Sequence, residues 1–262
     1  FLSGDGSTPV NNAFPAWDVI AGQHIALGLL AAERYRRTTG KGQFVKLALA
    51  DVALATMGHL AYIPEAEVNG DPRQPSGNHI FGTFGHDFAC RDGRRVMIVG
   101  VSPNQWKAIV KVTASQRQVS ELEQSLNLDF HNEGDRYKAR EQLKEIFAVW
   151  FGQQNFPEAC EALDAAGACW GPYQTIEEMV SSDIDCSEDN PLFSRVEQPG
   201  IGTYLMPSNP LNFTATERED VKPAPLLGQH TDEILADTLG LSSSEIAHLH
   251  DAVVVAGPDP VE

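Results

Sequence analysis

Small and apolar residues recur at helical spacing along 18–37. Ile20, Leu27 and Leu30 are interleaved there with Ala21, Gly22, Ala26, Gly28, Ala31 and Ala32. The spacing predicts a helix with a thin surface, suited to close packing or close approach of a ligand. It turns basic only at its end, at Arg34, Arg36 and Arg37, as the helix dipole prefers. Gly40 and Gly42 then stop it. Residues 43–49 read as a strand, and Asp51 stands where it would cap a second helix over 52–63. The stretch 64–78, PEAEVNGDPRQPSGN, has almost nothing apolar and reads as a linker. Beyond it, 86–90 and 94–101 read as two strands joined by the turn signal Arg91-Asp92-Gly93. A helix opens near Pro103 and includes Trp106, Ile109 and Val110. Leu143, Ile146, Phe147 and Trp150 mark an amphipathic helix over 135–151, and 157–166 forms another. Thr175 with Glu178, and Ser242 with Glu245, have capping-box spacing. A helix is also expected over 231–239, whereas the proline-rich stretch 183–215 is expected to be irregular.

The order is helix–strand–helix, then an α+β block, then an extended return to terminal helices. That pattern predicts an α/β chain in which a small α+β domain is inserted into a larger domain. The expected spans are 1–70 and 191–262 for the larger domain and 71–190 for the smaller. One strand and a few helices cannot cover both faces of a sheet. The expectation is that the N-terminal part of the larger domain lies outside this sequence. The loop-like, Met-less opening Phe1-Leu2-Ser3-Gly4-Asp5-Gly6 fits that view.

Composition narrows the function classes. The 262 residues carry a net charge of -17, unevenly. Residues 1–130 hold 12 basic and 12 acidic side chains, and 131–262 hold 7 and 24, so the excess lies entirely in the second part. Such a balance argues against nucleic acid as partner, which needs clustered Lys and Arg, and against docking on anionic membrane. The longest apolar runs are too short to cross a bilayer. No basic segment followed by an apolar stretch opens the chain, so a cytoplasmic location is expected. Cys90, Cys160, Cys169 and Cys186 include no C-x-x-C pair, which argues against a zinc knuckle and for reduced thiols.

Asp18, at the start of the small-residue helix, is the first candidate for chemistry. An aspartate there is ordinarily an N-cap. It can also serve as a nucleophile, because a helix N-terminus favours the ionised carboxylate and a carboxylate can attack an activated acyl carbon. Gly22 lies one turn on, on the same face, and removes a side chain beside it.

The segment 18–34, DVIAGQHIALGLLAAER, followed by TGKGQFV at 39–45, resembles the family III CoA-transferases. So does PAPLLGQHTDEIL at 223–235. Between them, Gly77-Asn78, Phe81-Gly82-Thr83-Phe84-Gly85 and Asp92-Gly93 fall where that family has its glycine loop and hairpin. The segments around 9–18, 82–88 and 197–207 are similar to the subgroup acting on mesaconyl-CoA. The resemblance implies a Rossmann-like large domain, an interlocked homodimer and an acyl-CoA substrate. It implies no prosthetic group and no metal, with CoA entering as part of the substrate. The family's nucleophile falls on Asp18. Gly22, Asn78, Phe81, Gly82, Phe84 and Gly85 would contact substrate, with 81–85 as a lid. Relatives have more glycine in that loop. Here only Gly82 and Gly85 remain, between two phenylalanines, which implies a stiffer and more apolar lid.

Other residues have plainer readings. His24 is expected to be a satisfied core histidine, Arg34, Arg36 and Arg37 a solvated helix end, and Tyr35 and Trp106 core or interface. His248 and His250 diverge on a helix. His79, His86 and Asp87 can cluster, without metal-ligand spacing. Three alternatives stay open: another family III CoA-transferase, acting between two acids; an α-methylacyl-CoA racemase, whose bases exchange an α-proton; and a non-catalytic CoA-binding or interaction module.

Overall fold

The computed structural model describes residues 10–11, 13–70 and 73–258. Two compact units divide the chain, Phe1–Tyr173 and Gln174–Glu262.

The first unit opens with α1 (Ala16–Thr39), α2 (Leu49–His59) and α3 (Tyr62–Asn69). α1 ends as its sequence predicts. Gly40 takes the left-handed conformation (φ 74°), and its N–H donates to the Arg36 carbonyl at 2.8 Å. α1 packs on α2, and α2 on α3. The expected strand at 43–49 does not form. Residues 41–48 are exposed and irregular, because a strand needs a ladder partner and no described residue supplies one. α2 begins two residues before Asp51, which therefore sits inside the first turn instead of capping it. The first half of the expected linker is α3. Pro64 falls in its first turn, where a missing N–H costs nothing, and Gly70 (φ 72°) ends it.

A three-stranded antiparallel sheet follows, in the order β1 (Phe84–Ala89), β2 (Arg95–Gly100), β3 (Cys169–Pro172). The turn between β1 and β2 uses Gly93 at φ 87°. The Asp92 carboxylate accepts from the Arg94 N–H at 3.2 Å and the Phe156 N–H at 2.9 Å, so one side chain ties the hairpin to the helix at 156. Period two sets the faces. Phe84, His86 and Phe88 pair with Gly100, Ile98 and Val96 on the side covered by α4 (Pro103–Val112), α7 (Arg140–Phe151) and α8 (Phe156–Ala166). Phe84 meets Phe147 edge-on at 5.1 Å, and Phe88 stacks on Phe151 at 4.6 Å. α4 opens with a full capping box of Ser102 and Gln105.

The helix expected over 135–151 is broken at Ala139 into α6 (Glu133–Lys138) and α7. α6 turns Arg136 inward, where its guanidinium donates to the Phe130 and Val101 carbonyls at 2.7 Å each. α5 (Gln116–Leu126) is a further helix, whose Val119 and Leu122 face the core and, with Leu126, form a stripe at helical spacing that sequence reasoning passed over. β3 was also not expected, since its four residues are strand only by pairing with β2.

In the second unit, α9 (Ile176–Ser182) and α11 (Ser243–Asp251) carry the two predicted capping boxes. The stretch expected to be irregular contains a hairpin, β4 (Phe193–Gln198) and β5 (Gly202–Pro207), turned by Gly200 and Gly202 at positive φ. The Gln198 side-chain amide clasps the Ala224 backbone on both sides, at 2.8 and 3.0 Å. α10 (Thr231–Asp237) is tied to α11 by His250 and Asp232, 2.7 Å apart.

Among the described residues both sheets are antiparallel, so the Rossmann-like parallel sheet expected for the larger domain is not seen in them. What stands is a mixed α/β chain. No described helix is long and apolar enough to cross a membrane.

Candidate active site

α1 begins at Ala16, and Pro15 occupies the cap position without a side-chain bond. Asp18 is thus the third residue of the helix, not its cap. It is exposed, and its carboxylate has no hydrogen bond or ion pair among the described residues. A carboxylate in the first turn lies in the positive end of the helix dipole. One turn on, a Cβ at Gly22 would meet nothing within 4 Å among the described residues.

The second group lies on the sheet side of the unit. The Ile80 N–H donates to the Gly85 carbonyl at 3.0 Å and closes the loop that holds Phe81 and Gly82. The Thr83 hydroxyl donates to the Gly100 carbonyl at 3.1 Å and pins the loop to β2. A Cβ at Gly85 would stand 2.6 Å from Ile80 Cδ1, so only glycine lets Ile80 lie against β1. Phe84 is fully buried between Trp106 and Phe147. Its expected substrate contact gives way to a core role, and of residues 81–85 only Phe81 and Gly82, at the loop tip, are not buried. Phe81 is 47% exposed, and Gly82 has φ 80° with open space around it.

Asn78 donates from Nδ2 to Asp87 Oδ1 at 2.8 Å, and Arg95 donates to the other carboxylate oxygen. Burial pushes the Asp87 carboxyl up. The Asn78 and Arg95 hydrogen bonds outweigh it, and the group titrates below the usual aspartate range. His86 Nδ1 lies 2.6 Å from the Asp87 carbonyl, and the His79 and His86 rings are 4.2 Å apart. Burial and the neighbouring His86 hold His79 below the usual histidine range. Asn78, itself exposed, reaches with its amide into a network whose other members, Asp87 and the two histidines, are buried.

The structure brings Asn78, Phe81, Gly82 and Gly85 together and places Asp18 and Gly22 on α1. No hydrogen bond, ion pair or ring contact joins the two groups among the described residues. His24 is satisfied but exposed, with Nδ1 2.9 Å from the Ile20 carbonyl. Arg36 and Arg37 pair with Glu33 on a solvated helix end. Among the described residues Glu123, Asp129 and His131 lie close enough for a shared ion. Their carboxylates already accept the Phe130 and His131 N–H groups, which makes them a loop clasp.

Sequence reasoning missed Arg73. It lies in the apparent linker, and nothing in the linear pattern marks it. Its guanidinium reaches the Phe81 ring and pairs with Glu65.

Comparison with known proteins supplies the wider frame. The sequence model of CoA-transferase family III matches residues 1–231. The chain is 50% identical over 261 residues to 2-methylfumaryl-CoA isomerase of Chloroflexus aurantiacus, covering 99% of this chain and 64% of that protein. It is 29% identical over 262 residues to formyl-CoA:oxalate CoA-transferase of Rhodopseudomonas palustris, covering 90% of this chain and 58% of that protein. The chain thus spans less than two thirds of the length of these relatives. Its fold is similar to a CAIB/BAIF family protein from Brucella suis, with a TM-score of 0.64 at 18% identity, over 89% of this chain and 58% of that one. The chain belongs to CoA-transferase family III.

Proposed function

We propose that this chain is the Asp18-bearing part of an enzyme that moves CoA between the two carboxyl groups of mesaconate, which is 2-methylfumarate. The observation that carries this reading is its high identity, along almost all its length, to 2-methylfumaryl-CoA isomerase. The exposed Asp18, without a partner among the described residues and one turn from the uncrowded Gly22, supports the role of nucleophile.

In this reading an Asp18 oxygen attacks carbon 1 of the mesaconyl thioester. The C–S bond breaks, leaving a mixed anhydride and CoA thiolate. The thiolate attacks the Asp18 carbonyl, forming an aspartyl-CoA thioester and releasing the carbon-1 carboxylate. Mesaconate stays bound. Its carbon-4 carboxylate attacks the aspartyl thioester, and the thiolate returns to carbon 4 and frees Asp18. No second acid and no prosthetic group enter. The cycle requires exclusion of water, since anhydrides hydrolyse, and retention of the thiolate beside the acyl group. Gly22, Asn78, Phe81 and Gly82, which are not buried, are the substrate-contact residues this reading retains.

Replacement of Asp18 by Ala in the full-length protein is expected to leave folding intact and to lower turnover by roughly a thousandfold or more. Hydroxylamine added with mesaconyl-CoA is expected to convert Asp18 to a hydroxamate, detected by mass spectrometry. Turnover surviving Asp18→Ala at near wild-type rate overturns the mechanism. Transfer of CoA to an added second acid such as oxalate would point to an intermolecular transferase instead.

A further inference from the structure

Arg73 lies between α3 and the loop tip, and its surroundings are built. Its guanidinium carbon stands 3.5 Å from the centre of the Phe81 ring and 4.4 Å from that of Tyr62, the first residue of α3. Both Glu65 carboxylate oxygens accept from it, Oε1 at 3.3 Å from Nε. Its side chain is only 15% exposed, unusual for an arginine in a linker. Phe81 in turn meets Tyr137 of α6 edge-on at 5.1 Å. The result is a continuous line of contacts from α3 through Arg73 and Phe81 to α6. Its free end is the tip at Gly82.

We propose that Arg73 is a positioning residue that holds the Phe81–Gly82 tip against α3, and that this hold keeps water from the acyl intermediates. The inference rests on the CoA-transfer reading above. An exposed ion pair alone contributes little. Here little of the side chain is exposed, the carboxylate contact is two-pronged, and two aromatic rings lie against the guanidinium. Lysine cannot replace it, because an ammonium has neither the planar fork nor the flat face. When the tip is loose, water attacks the mixed anhydride, and its acyl C–O bond breaks to give the Asp18 and mesaconate carboxylates. The CoA thiolate takes up a proton and leaves. The net leak is mesaconyl-CoA plus water to mesaconate plus free CoA thiol.

The test uses the full-length protein and the variants Arg73→Lys, Phe81→Leu and Phe81→Tyr. Free thiol is titrated per CoA transferred, and amide hydrogen exchange is followed over 80–83. Arg73→Lys and Phe81→Leu are expected to raise both readings, by roughly three- to tenfold. Phe81→Tyr, which keeps an aromatic face, is expected to restore both. Either reading at wild-type level in Arg73→Lys overturns the proposal. If that variant loses its fold by near-UV circular dichroism, Glu65→Gln decides by the same readings. A wild-type enzyme that moves no CoA would sink the CoA-transfer reading instead, and the exchange arm alone would then decide whether Arg73 positions the tip.

Discussion

Gly85 and Phe84 are neighbours, and both were candidates for substrate contact. Neither side of that pair faces solvent. Ile80 lies so close to Gly85 that an added methyl would overlap Cδ1 at 2.6 Å and Cγ1 at 2.8 Å. Gly85→Ala is therefore expected to destabilise the protein by about 1–3 kcal/mol, the cost of overpacking. Thermal unfolding checks it. Combining it with Ile80→Ala is expected to recover part of the loss, because the two sites share one contact. Additive losses would mean that the clash is not the cause. Gly22 is the opposite case, with open space where a side chain would go.

The loop at 77–79 and the β1–β2 hairpin are joined by one buried carboxylate. Asp87 is held by Asn78 from the loop and by Arg95 from the neighbouring strand. Its folded carboxyl titrates below the ordinary range, so the unfolded chain takes up a proton first as pH falls. The stabilisation is fully present above the ordinary aspartate value and is lost as pH falls through the lowered one. His79, held below the ordinary histidine range, makes a separate contribution that fades as pH falls below about 6.5. Denaturant unfolding at a series of pH values is expected to show both losses. Asp87→Asn is expected to abolish only the lower window, and an unchanged profile there would remove Asp87 from the account.

The molecule as a whole separates charge from candidate chemistry. Asp18 and the 77–87 segment lie in the neutral part of the sequence, and the net charge of -17 lies beyond it. A second feature is apolar. Ile25, Leu27, Leu29 and Leu30 on α1, Phe44 after it and Leu54 on α2 are all at least 60% exposed. Large apolar side chains this exposed are ordinarily covered by another chain or by more of the same one. The full-length protein is expected to sediment as a dimer. A monomer at all concentrations, with these residues covered by its own chain, would overturn the homodimer that the family resemblance implies.

Much of the local structure was legible in the sequence because its causes are local. Helix periodicity, the capping boxes at Thr175 and Ser242, the Gly40 stop and the Asp92-Gly93 turn depend on residues a few positions apart. The family motifs, Asp18 among them, were legible for a related reason: they are short and keep their order. What depends on distant partners was not. The same apolar-to-polar pattern at 43–49 would be a strand beside another strand, and alone it is an exposed irregular segment. Phe81 and Phe84 have the same side chain three residues apart. One is at the surface and the other in the core because β1 begins between them. Arg73 has no signal of its own along the chain. Its meaning comes from Tyr62, Glu65 and Phe81, which only packing brings to it.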